Sequence, residues 1–208
     1  MTGFLRSFFG RRWVKGLLVA LTVLLVVVVA AFFIVSPTFK PYPEADFPSA
    51  GSQADKNLQD LAHLRRLPEV DRSFTEETRA AFLQAVDAME QRAADLDRAA
   101  LGMGMAKAVA IADNAHTNVL GLAGDYGFNA VPLRFGWFAD GLFVITAAAD
   151  RRDLLGAQVL AVNGRPVDDL ADELRSHVGG PSNLAKELSP NFLISPELLH
   201  GAGLAARP

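Results

Sequence analysis

From Gly16 to Val35 the chain reads GLLVALTVLLVVVVAAFFIV, twenty residues without a charge. As a helix rising about 1.5 Å per residue, this run is roughly 30 Å long, the thickness of a bilayer's hydrocarbon. A core helix of a soluble domain keeps a polar stripe, and Thr22 alone offers one here. A cleavable signal peptide has an apolar core of about 7–15 residues followed by a small-residue cleavage site. This core is longer, and Ala30-Ala31-Phe32 makes a poor site. An uncleaved transmembrane helix over 16–35 is therefore expected, with the lipid bilayer as its partner.

Charge sets the orientation. Arg11, Arg12 and Lys15 flank the leading end, whereas the trailing end runs into Ser36-Pro37. The positive-inside rule then places residues 1–15 in the cytoplasm and the bulk beyond the membrane, a single-pass inner-membrane, periplasmic arrangement. The first 40 residues hold five cations and no acid, so the net charge of −3 leaves −8 for residues 41–208. An acidic remainder argues against nucleic acid as a partner. With no cysteine, disulfides, metal thiolates and thiol nucleophiles are all excluded.

Residues 36–72 carry Pro37, Pro41, Pro43, Pro48 and a Gly51-Ser52 step, which predicts a spacer with a short helix at about 55–66. Ser73-Phe74-Thr75-Glu76 has the form of a capping box, so a helical region over 73–115 is expected to start at Ser73. Phe82, Val86, Met89, Ala93 and Leu96 recur at spacings of four and three on one helical face. Two heptads are too few for a coiled coil, which leaves packing within its own domain. Gly102 and Gly104 are expected to interrupt this pattern, with a second, more buried helix from Met105 to Ala112.

After Asn114 the period changes from helix to strand. Val131 to Phe138, the turn Asp140-Gly141, and Leu142 to Thr146 predict a β-hairpin rich in aromatic and β-branched residues. Gln158 to Val162 predicts a further strand, closed by the tight turn Asn163-Gly164. Asp168 or Asp169 is expected to cap a helix running to about Val178, which Gly179-Gly180-Pro181 stops. Ser195-Pro196-Glu197 is a candidate start for another short helix. The fold class is thus α+β, with an N-terminal transmembrane helix, a helical segment and a small β-rich module at 116–180, followed by a tail at 181–208. By alternation, Leu133, Phe135, Leu142, Val144, Leu160 and Val162 are expected in the core.

The run Leu155 to Val167, with its strand and Asn163-Gly164 turn before a helix, resembles the second half of a PDZ-type module. Asp113-Asn114-Ala115-His116-Thr117 resembles the Asp-x-His-Thr element of tail-specific, or carboxyl-terminal processing, serine peptidases, and Pro132 to Leu142 is similar to members of that family. The likeness covers about residues 75–205. It implies a peptide groove with its carboxylate-binding loop at Ala130, Val131 and Pro132, a strand contributing Leu133 and Phe135, and an opposite wall from Leu170 and Leu174. It implies peptide or protein C-termini as partners. It also implies a nucleophilic serine and base lysine C-terminal to the module, and no position here matches them.

Other chemistry finds little support. Ser182 and Lys186 share a helical face, but such a pair is common by chance and no catalytic residue is assigned. Asp113, His116 and Asp125 match no metal-ligand spacing, so no metal is expected; Asp113 or Asn114 more simply ends a helix, with His116-Thr117 bonded into the next turn. His63, His177 and His200 read as isolated surface or packing residues. Gly102-Met103-Gly104 lacks both the later glycine and the preceding strand of a dinucleotide loop, so no cofactor is expected. Three readings stay open: the substrate-binding portion of a peptidase-family protein, a tethered peptide-binding or scaffold module without chemistry, and a truncated gene product.

Overall fold

The computed structural model describes residues 12–35, 42–119, 122, 127–206 and 208, in two compact units divided after Tyr42. The first unit holds helix α1, Arg12–Val35. Between Trp13 and Phe32 it is long and apolar enough to cross a membrane. Leu17, Val19, Leu24 and Phe32 are all more than half exposed to their surroundings, which water would penalise and lipid would not. Thr22 donates its hydroxyl to Leu18 O at 2.9 Å, so the one polar side chain of the uncharged run from Gly16 to Val35 needs no outside partner.

The second unit is α+β. It opens with α2, Gln53–Leu64, capped by the Ser52 hydroxyl accepting from Asp55 N at 3.1 Å. A helical turn α3, Leu67–Val70, follows, then α4, Glu76–Glu90, and α5, Arg98–Ala110. Leu61, Leu64, Phe74, Phe82, Val86, Leu96 and Leu101 form one core cluster. The stretch expected as spacer therefore contributes to the core from Leu61 onward. Arg65, at the end of α2, pairs with Asp87 and Glu90 of α4.

Three expectations for this region are corrected. The cap of α4 is Thr75, in a reciprocal box with Thr78, because Ser73 already gives its N–H and hydroxyl to Asp71. Gly102 and Gly104 do not interrupt α5. A side chain at residue 104 would meet Met89 Sδ at 2.7 Å, so glycine here lets two helices approach. Helix α5 is buried on two sides, giving Leu101, Ala108 and Val109 to the first cluster and Ala99 and Met103 to the second. The stripe predicted from Phe82 to Leu96 is one face only as far as Glu90; Ala93 and Leu96 are buried from the turns beyond.

The hairpin forms as expected: β1, Leu133–Phe138, pairs antiparallel with β2, Gly141–Ala147, with a bulge between Arg134 and Phe135. The predicted strand 158–162 is broken. Gln158–Val159 (β3) pairs with β2, while Ala161–Val162 (β4) pairs with Arg165–Pro166 (β5) in a separate two-stranded ladder. Asn163 and Gly164 turn that ladder at φ 54° and 78°, a backbone that this dipeptide tolerates. Leu160 falls at the break and is 70% exposed, so it is not a core residue.

Helix α6, Val167–Leu174, continues as a 3₁₀ turn to His177. Pro166 precedes it without a side-chain cap; Asp168 and Asp169 lie in its first turn, where their charge complements the helix dipole. Helices α7, Ser182–Leu188, α8, Pro190–Leu193, and α9, Pro196–Gly201, complete the unit. Phe192, Leu193, Leu198 and Leu199 join Leu142, Leu170 and Leu174 in the second cluster, so the expected tail is part of the core of the β-rich region.

Candidate functional site

One face of the hairpin carries Phe135, Trp137, Leu142 and Val144 toward the second cluster. At its Leu133 end the interior opens into a groove of about 520 Å³. Val131, Leu133 and Phe135 line it together with Val144, Val159, Leu160 to Val162 and Leu193 of α8. None of its lining side chains is charged. Leu160 and Val131, 70% and 37% exposed, stand at the lips. Of the described strands, β2 alone pairs with β1, which makes β1 a sheet edge.

The structure thus brings together Val131, Leu133 and Phe135 of the expected groove and leaves out Leu170 and Leu174. Those two are 1% and 0% exposed inside the second cluster and are not among the residues that line this groove. Helices α7 and α8 stand against β1 in their place. Trp137 Nε1 donates to Ser189 Oγ at 3.1 Å, and Lys186 Nζ lies 4.1 Å from the Trp137 ring centroid. The sequence does not mark Leu160, expected in the core, or Leu193, in the expected tail, as groove residues, because one sits at a strand break and the other beyond the expected module.

The loop before β1 is already engaged. Asn129 N donates to the Glu197 carboxylate at 2.6 Å and Asn129 Nδ2 to its other oxygen at 3.3 Å. Val131 N donates to Ile194 O at 2.8 Å, and Pro132 O accepts from Ala148 N at 3.0 Å. Ala130 is exposed between them. Two of the backbone donors of this loop, Asn129 N and Val131 N, are thus bonded to the C-terminal segment of the same chain.

The Asp113–Thr117 element has a structural role in this geometry. Asp113, at φ 49°, ends α5 with its N–H on Ala110 O at 3.0 Å. Asn114 Oδ1 accepts from His116 N at 2.8 Å, and Thr117 N returns to Asn114 O at 3.0 Å. His116 is exposed, whereas Thr117 is buried and donates to Asp71. The turn is clamped on its far side by Gly179 N, which donates to Asn118 Oδ1 at 2.6 Å. A side chain on Gly180, at φ 93°, would meet Ala115 N at 2.9 Å, so this glycine serves a close approach as well as a helix stop.

The remaining candidates are placed as follows. Lys186 Nζ pairs with Asp168 at 2.9 Å and lies over the Trp137 ring. Among the described residues no three histidines or carboxylates converge as metal ligands, and Asp125 lies outside the described residues. His63 meets Phe47 edge to face at 6.5 Å. His177 is buried beside Phe192, and burial with the nearby Lys107 charge pushes its pKa down to about 4. His200 is not isolated: its Nε2 lies 3.4 Å from Asp97, the cap of α5.

Compared with protein-family models, curated proteins and solved structures, the chain matches none.

Proposed function

We propose that this chain is a single-pass membrane protein of the inner membrane, its N-terminus cytoplasmic, whose residues 43–208 capture extended peptide on the periplasmic side. The uncharged groove at the Leu133 end of the β1 edge carries this reading. An edge strand such as β1 offers backbone hydrogen bonds to an added chain, and an apolar groove lined from β1 through β4 accepts side chains of an extended peptide. The order of motifs from Asp113 to Val167, similar to tail-specific serine peptidases, supports a substrate-binding role in proteolysis. Binding, not bond cleavage, is the part of such an activity assigned to these residues.

The test uses the full chain in bilayer nanodiscs, incubated with extended peptides that carry a photoreactive phenylalanine analogue. Crosslinks are expected to concentrate on residues 131–135 and 158–162. Labelling spread evenly over other surfaces removes the reading. Protease added outside spheroplasts is expected to cut within 43–208, and protection there inverts the orientation.

A further inference from the structure

We infer that the groove takes an uncharged, apolar segment from within a polypeptide and makes no use of a free C-terminal carboxylate. This rests on the peptide-binding reading above and narrows its substrate class.

Two sets of observations lead to it. Two backbone donors of the loop that leads into the groove are committed: Asn129 N to Glu197 at 2.6 Å and Val131 N to Ile194 O at 2.8 Å. A peptide carboxylate arriving there would displace a charged partner already bound in the same chain and would meet the like charge of Glu197. Deeper in, the lining from Leu133, Phe135, Val144 and Val159 offers no cation or charged group of any kind. An ionised terminus carried into that lining would lose its water without gaining a counterion. An apolar side chain loses nothing by entering and covers the exposed lips, Leu160 and Val131. Along an extended chain, side chains recur on one face at every second residue, so the fitting sequence alternates apolar with small polar residues. Flanking chain on both sides is compatible with an open trough.

The decisive measurement is fluorescence anisotropy with the full chain in nanodiscs and a labelled peptide alternating valine with serine. The peptide is made as the free acid, as the C-terminal amide, and with charged residues extending both ends beyond the alternating stretch. The three forms are expected to bind within about twofold of one another. A preference of about tenfold or more for the free acid overturns the inference while leaving peptide binding intact. Absence of binding by all three forms overturns both. Leu160→Glu, at a position too exposed to disturb folding, is expected to weaken all three forms by about tenfold or more. Unchanged affinity in that variant would move the binding site elsewhere and overturn the inference.

Discussion

The Thr117 hydroxyl donates to the Asp71 carboxylate at 2.6 Å, joining the turn after α5 to the loop before α4. Ser73 completes the cluster with its own hydroxyl on the other Asp71 oxygen, also at 2.6 Å. Burial pushes the Asp71 carboxyl up, but the hydrogen bonds from Ser73 and Thr117 outweigh it and hold it below the ordinary carboxylate range. The residues that resemble a peptidase motif thus act here as a brace between two loops.

Thr117→Val keeps the shape of the side chain and removes the donor. An unfolding titration in urea at pH 7 is expected to show a loss of about 1–2 kcal/mol. Because the folded-state pKa of Asp71 is depressed, its contribution is present above the unfolded value and disappears as pH falls through the folded one. The gap between wild type and Asp71→Asn is therefore expected to narrow below about pH 4. A gap that stays constant in acid would show that the ionised carboxylate is not the stabilising species.

The hairpin and the Asn163-Gly164 turn were legible because local chemistry decides them: alternation at Phe135, Trp137, Leu142 and Val144, and a dipeptide tolerant of positive φ. What the residues could not announce depends on distant partners. Ser73 has capping chemistry but spends it on Asp71, so Thr75 caps instead. Gly104 breaks helices in isolation, yet inside this core it makes room for Met89. Leu170 and Leu174 matched a groove wall by resemblance, but both are buried in a cluster that also takes Phe192 and Leu198 from sequence positions read as a tail. Leu160 belongs to an alternating run and still faces solvent, since its two flanking dipeptides enter different ladders.

Asn57 is fully buried, and its amide donates to Ala93 O at 2.8 Å and Leu96 O at 2.9 Å while its oxygen accepts from Gln53. These bonds hold the irregular turns between α4 and α5. Asn57→Leu leaves two buried carbonyls without donors and is expected to cost about 2–4 kcal/mol, read by chemical denaturation. Asn57→Asp should be at least as damaging, because it faces a carboxylate toward those same carbonyls. Wild-type stability in the Asp variant would mean that the turn is held by packing alone.

His177 gives the fold an acid sensitivity. With a folded pKa of about 4, it is neutral in the folded state where an unfolded chain binds a proton. Stability is therefore untouched above about pH 6.5 and falls as pH drops from there toward 4, where the penalty levels off. The loss attributable to this group is at most about 3 kcal/mol. His177→Phe is expected to flatten that part of the stability profile relative to wild type, and parallel profiles would assign the acid sensitivity to other groups.

Gly201, at the end of α9, has no room for a side chain. A Cβ there would press on the Ala99 carbonyl carbon and oxygen and stand 2.9 Å from Ala100 N, all backbone of the first turn of α5. Backbone cannot rotate away as a long side chain does, so the two helices must separate. Separation opens the packing of Leu198 and Leu199 against Ala99 and Met103 and moves Glu197 relative to Asn129. Gly201→Ala, which in an ordinary exposed helix would stabilise by its higher helix propensity, is here expected to destabilise by about 1–3 kcal/mol. Thermal unfolding of the variant checks the sign. A raised midpoint would show that α9 is free to shift on α5, and the loop before β1 would then lose the support that keeps its amides occupied.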